Sequence, residues 1–383
     1  MPDRVAVLAA CAAAGTAIAY YLYTKKRASG GEVFGTGRDG DDVLCYTLSH
    51  GSKGIRVQVI TLGATLTSLL APDQSGALGE VLLGFDDAAP YHDGTSPYFG
   101  CVAGRVANRI AKGMFAIDDK QYRLVTNNGP NHLHGGTVGF DKRNWKCTAA
   151  SATSVTLQLR AADGEEGYPG KLLVSVTYSL PTPTSLRIEY SASTDATTPC
   201  NLTNHAYWNL KDGGASAVFG HDIEVAADFY TPVDDTSIPT GEIRAVSGAM
   251  DLRAKATIAD HGLSKADQGM GYDHNWCLRQ PTGRDGLRPC ARVYEPSSGR
   301  VMVVRTSEPG VQFYTGNYLD GVRGRGGTVS YGKHHGFCLE TQHFPDSVNF
   351  AHFPPVWLSP GMKYKHVTEH AFACSKTAPV GEY

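Results

Sequence analysis

Several features that would fix the class of this 383-residue chain at a glance are missing. Its 9 cysteines are odd in number and scattered, and no two form a CxxC pair. Neither a zinc knuckle nor a disulfide scaffold is therefore indicated, and the thiols read as reduced, in a cytosol-like compartment. No basic block runs through the body of the chain, and Lys+Arg 35 against Asp+Glu 37 is close to balance. Nothing there favours nucleic acid. There is no repeat of fixed period and, past the N-terminal end, no long amphipathic helix. Helical crossovers are thus excluded, and with them a parallel α/β sheet.

What is present is a succession of short alternating segments. "IRVQVITLGATLTSLLAP" from Ile55, "SVTLQLRAA" from Ser154, "KLLVSVTYSL" from Lys171 and "SLRIEYSAST" from Ser185 are rich in Val, Ile, Thr, Tyr and Leu, with a period near two. Turn clusters such as "APDQSGA", "NNGPN", "DGEEGYPG" and "VRGRGG" separate them, and 44 glycines suit a fold with many tight turns. These signs predict one all-β domain, an antiparallel sandwich or barrel, over residues 43–383. Residues 28–42 read as a Gly-rich linker. Before it, Val5 to Tyr23 carries no charge, is just long enough to cross a bilayer, and is followed by "TKKR". Residues 1–27 therefore read as an apolar helix that anchors or targets the chain. Attachment would be through residues 5–23, with the domain on the cytosolic side. The lone sequon at Asn201 is no argument for secretion.

In a sheet protein, polar residues inside apolar strand sequence carry the information. "GRVANRI" holds Asn108 and Arg109. "NNGPNHLHGG" holds His132 and His134, two apart and on one face if extended. "NHAYWNL" holds His205, which would share a face with Tyr207 and Asn209. "GYDHNWCL" holds Asp273 and His274 beside Trp276, and "PGVQFYTGN" holds Gln312. "GFCLETQHFPDSVN" holds Glu340, with Cys338 and Gln342 on its face. Each has a bland explanation: a surface ion pair for Arg109, a turn for His132 and His134, a cap for Asp273, a satisfied core site for His205. Glu340 resists that treatment, because an unpaired buried carboxylate costs several kcal/mol. Together these residues are a kit for gripping a polyhydroxylated, uncharged ligand and shuttling its protons, which describes a sugar. Two other chemistries stay open on the residues alone. His132 and His134 with a distant carboxylate could hold a catalytic metal, and Asp273 with Glu340 could be the carboxylate pair of a glycosidase.

In order, "GRVANRI", "NNGPNHLHGG", "DGEEGYPG", "NLTNHAYWNL", "GYDHNWCL", "GVQFYTGN" and "GFCLETQHFPDSVN" resemble the signature blocks of the aldose 1-epimerase (galactose mutarotase) family. They span Gly104 to Asn349. The resemblance implies a large antiparallel β-sandwich with an open cleft for a free hexose, and exchange of its α and β anomers without metal or organic cofactor. It implies His205 as general acid and Glu340 as general base. Asn108, Arg109, His134, Asp273 and Gln312 would hold the sugar hydroxyls, and Asn204 and Asn209 would orient the imidazole. A sister activity on hexose 6-phosphates would need several cations around the cleft; the motifs offer Arg109 and, less clearly, Arg105. A carbohydrate-binding protein without catalysis would not need both proton carriers.

Overall fold

In a computed structural model of the chain, residues 30–52, 54–259, 271–281 and 285–377 are described. The apolar run expected to form an N-terminal helix lies outside them. No helix among the described residues is long and apolar enough to cross a membrane. The expectation of a transmembrane helix is corrected to that finding: none stands among the described residues, and membrane attachment has no support from them.

The all-β expectation is met. The alternating segments become strands where their period predicts: Arg56–Ile60 and Thr65–Pro72, then Ser154–Ala161, Leu172–Thr182 and Ser185–Thr194. The complete helical elements among the described residues are short 3₁₀ turns of three residues. Part of the expected linker is structured as well. Glu32–Thr36 is an edge strand paired antiparallel with Asp42–Ser49 through a turn in which Gly37 N–H donates to Asp41 O. It opens a five-stranded meander that ends at Leu78–Glu80.

The largest sheet has nine antiparallel strands, in spatial order Lys146–Ala150, Ser154–Ala161, Leu172–Thr182, Ser185–Thr194, Tyr364–Cys374, Arg300–Thr306, Arg288–Tyr294, Asp222–Val225 and Ala256–Thr257. Its inward residues alternate strictly; Leu172, Val174, Val176, Tyr178 and Leu180 are buried while their neighbours are half-exposed. A strand near the C-terminus, Tyr364–Cys374, sits in the middle, so the sheet closes only through contacts distant in sequence.

A second five-stranded sheet positions the site. Its order is Arg244–Ala245, Ala227–Thr231, Asp273–Leu278, Gly310–Tyr314 and Cys338–Gln342. Pairing sets Asp273 against Tyr314 and Tyr314 against Cys338, then Asn275 against Gln312 and Gln312 against Glu340. Side chains alternate across a strand, so these six residues share one face. The other face carries Trp276, Val311, Phe313 and Leu339, all buried in the same core as the large sheet. Burying a side chain of that size contributes about 1.5–3 kcal/mol. This apolar face fixes the register, and a slip of one residue would swap it with the polar one.

Candidate active site

On the polar face the sheet and the loops around it enclose a cleft of about 560 Å³. Asn108, Arg109, His134, His205, Asp273 and Glu340 line it together although up to 232 positions separate them along the chain (108 to 340). Gln312, the seventh residue expected there, is not among the lining residues. It is buried, and its Nε2 donates to Asp273 Oδ1 at 2.7 Å.

His205 follows the two-residue strand Thr203–Asn204, whose partner Val102–Ala103 fixes where the imidazole leaves the backbone. Its Nε2 lies 3.5 Å from Glu340 Oε1, and both side chains are almost fully buried. Its Nδ1 lies 3.5 Å from Cys338 Sγ. The ring stacks between Tyr98 and Tyr207, at centroid distances of 5.7 and 5.2 Å. Neither asparagine of "NHAYWNL" orients it. Asn204 bonds to Gly100 O and the Tyr178 hydroxyl, and Asn209 donates to Ser216 O and His335 O. The segment turns after Asn204 instead of continuing as a strand, so parity places Asn209 wrongly.

The two loop histidines separate for the same reason. The pair is extended only at His132–Leu133, and His134 has φ 48°. His132 turns into a small core, with Nδ1 against Val125 O and Nε2 against the Tyr168 hydroxyl, both at 2.7 Å. It has no nitrogen left for a metal, which removes the His132–His134 pair as a ligand set. His134 faces the cleft, and its Nδ1 accepts from the Asn108 backbone N–H at 3.2 Å. In the neutral ring the proton is then on Nε2, leaving a donor for a ligand oxygen. The glycines behind His134 are needed: a Cβ on Gly135 would lie 1.8 Å from Gly104 O.

Arg109 Nε donates to Asn128 Oδ1 at 2.9 Å, which fixes the guanidinium at the cleft wall. Arg105 is consumed elsewhere, donating to the carbonyls of Pro169, Gly170 and Ala162 and to the Thr198 hydroxyl. Asn201, in the sequon, is buried and bonds both ways to the His343 backbone. His334 and His335 are turn residues bonded to Thr315 O and Gly214 O.

Burial dominates the electrostatics. It pushes the Glu340 carboxyl well above the usual carboxylate range, with the Asp273 charge adding and Arg109 opposing. Burial also pulls the His205 imidazole down to about 4, and holds His134 well below its usual value, with His205 and Arg109 adding. Between the lowered imidazole value and the raised carboxyl value, without sugar, the Glu340–His205 pair therefore carries one proton, held on the carboxyl. Glu340 Oε2 is buried with no hydrogen-bond partner, a costly condition unless something else engages it. His134, His205 and Glu340 can each present one ligand atom within 4.8 Å of the others.

Sequence reasoning missed Tyr98, Asn128, Asp235, Thr236, Ser237, Tyr314 and Tyr318, which also line the cleft. Tyr314 could have been found, since it lies two residues from Gln312 and shares its face. Tyr318 stacks on Tyr314 at 6.2 Å and is 67% exposed. The 235–237 loop is held to the histidine loop by Asn131, whose Nδ2 donates to Thr236 O. No local pattern announces that contact.

Residues 44–371 match the family model for aldose 1-epimerase. The chain belongs to the aldose 1-epimerase family. It is accordingly an enzyme, an isomerase that epimerises carbohydrate. It is 49% identical to a galactose mutarotase of Bos taurus over 324 residues, covering 84% of this chain and 92% of that one. It is 37% identical to an aldose 1-epimerase of Escherichia coli, covering 87% and 96%. Among solved structures, an aldose epimerase homologue from C. elegans superposes with TM-score 0.80 at 32% identity, covering 86% of this chain and 99% of that one. Within this family the open alternatives of a hydrolase or a non-catalytic binding module fall away.

Proposed function

We propose that the cleft exchanges the anomers of a free aldohexose, galactose or glucose, with His205 and Glu340 as the two proton carriers. The observation that supports it is the 3.5 Å approach of His205 Nε2 to Glu340 Oε1 on the cleft wall, both groups buried and Oε2 without a partner. Ring opening removes the C1-hydroxyl proton and adds one to the ring oxygen, and closure on the other face reverses both transfers. The pair holds the single proton this exchange needs. In the ionised form Glu340 takes the hydroxyl proton while protonated His205 donates to the ring oxygen. After opening, the proton resides on Glu340, which is the form burial already favours, so the open intermediate meets a relaxed site. Rotation about C1–C2 then occurs while Asn108, Arg109, His134 and Asp273 hold the other hydroxyls.

Gln312 contributes by holding Asp273, through the 2.7 Å bond to Oδ1. Anomer exchange in water is already fairly quick, and acid/base help of roughly 10²–10⁴ per group is sufficient. A hexose 6-phosphate fits poorly: Arg109 is the one Lys or Arg lining the cleft among the described residues, and Arg105 is committed to backbone carbonyls. Polarimetry of freshly dissolved α-galactose and α-glucose tests the reading. Catalysed decay with the free sugars supports it, and activity confined to the 6-phosphates sinks it.

A further inference from the structure

Two loops contribute to the cleft wall, the turn 128–131 and residues 235–237, and each is rigid within itself. In the turn, Asn128 N–H donates to Asn131 O and Asn131 N–H to Asn128 O, both at 3.0 Å. The Asn128 side chain accepts from Arg109 Nε. In the second loop, Asp234 Oδ1 accepts from the N–H groups of Thr236 and Ile238 and from the Thr236 hydroxyl. A self-bonded loop moves as a unit, so its place in the wall depends on what ties it to its neighbours. Asn131 supplies that tie. It is 2% exposed, and both ends of its amide are used. Nδ2 donates to Thr236 O at 3.2 Å, and Oδ1 accepts at 3.0 Å from the N–H of Lys112, three positions past Arg109. One side chain thus joins the Arg109 segment, the turn and the second loop. The two proton carriers stand outside this network: His205 follows the strand Thr203–Asn204, and Glu340 lies in Cys338–Gln342.

We propose that Asn131 is a positioning residue for sugar binding: it latches the 235–237 loop to the turn that supports Arg109, so that both meet the sugar as one preset wall. This rests on the reading of the cleft as the place of anomer exchange. Asn131 is not among the residues lining the cleft, so it acts through those that are. A sugar that meets a preset wall has less freedom to remove on binding. Loss of the latch weakens the grip on ground state and transition state alike, which raises KM and leaves kcat in place.

Polarimetry of α-galactose with the full chain tests this. Asn131→Ala loses both bonds and should raise KM by roughly 5–50-fold, with kcat within about twofold of the parent. Partial unfolding would instead lower the apparent kcat and leave KM unchanged. Asn131→Asp keeps an oxygen for the Lys112 N–H but has no amide donor for Thr236 O, and should raise KM by roughly 2–10-fold. Asn128→Ala combined with Asn131→Ala should raise KM by less than the product of the two single effects, because both act on Arg109. One measurement needs no variant to fold. In the unaltered protein, saturating galactose should slow amide hydrogen exchange in 128–131 and in 234–238 together. An unchanged KM in Asn131→Ala, a fall in kcat as large as the rise in KM, or protection of only one loop or of neither overturns the proposal. The two readings fail separately. A parent that binds galactose, protects both loops and leaves the anomers untouched sinks only the catalytic reading. An active parent whose KM survives Asn131→Ala sinks only the latch.

Discussion

Two histidine–carboxylate pairs in this chain, each with a buried carboxylate, are built to opposite specifications. Glu308 and His343 meet at 2.7 Å, a true hydrogen bond, and the structure holds the Glu308 carboxyl below its usual value. Burial alone would raise it, but His366, His343 and the Ser307 hydroxyl outweigh that. Glu340 and His205 stop at 3.5 Å, with burial raising the carboxyl and lowering the imidazole. One pair is closed and satisfied. The other is held apart, half-satisfied, and open to the cleft. A buried group left without partners costs stability, and it persists where a ligand completes it.

The largest effects should break this comparison outright. Glu340→Gln and His205→Asn should each lower the polarimetric rate by roughly 10²–10⁴ while far-ultraviolet circular dichroism stays that of the parent. Glu308→Ala should act in the other sense. Removing the buried carboxylate of a closed pair costs about 3 kcal/mol in denaturant unfolding, with the rate per folded molecule little changed.

The pH profile sharpens the contrast. Between the two limits the open pair holds one proton, and the rate should be flat. As pH falls through about 4 the imidazole gains a second proton while Glu340 is still protonated, so no base remains. Above the raised Glu340 value the pair is empty and no acid remains. A broad bell is therefore expected from polarimetry across pH, with limits belonging to the pair as a unit. A smaller effect is expected behind the cleft. Gln312→Ala frees Asp273, and KM should rise by roughly 2–10-fold with kcat less affected, as for one lost hydrogen bond. The smallest concerns Cys338→Ser. A hydroxyl bonds Nδ1 more strongly than a thiol does, so the acid limb should move by less than about one pH unit.

Strand period was the most legible property of the sequence. It set Glu340 with Cys338 and Gln342 on one face, and their cross-strand partners complete that same face. It failed where the chain turns. His132 and His134 share a face only in an extended chain, and the positive φ at His134 sends one ring to the core and the other to the cleft. Asn204 and Asn209 look like partners of His205 on a strand that in fact ends at Asn204. Tyr98 and the 235–237 loop reach the cleft through tertiary contacts such as Asn131 to Thr236, which leave no periodic trace. The register of motif blocks carried the site further than any single residue could.

The central claim is that Glu340 is left unsatisfied in order to act, and one variant tests it directly. Glu340→Gln removes a buried acid whose Oε2 lacks a partner, so polarimetry and thermal unfolding on the same preparation should diverge. The account predicts a rate at least about 100-fold lower with a melting temperature equal to or above that of the parent. A parent-like rate, or a rate loss that merely follows a fall in melting temperature, would contradict it.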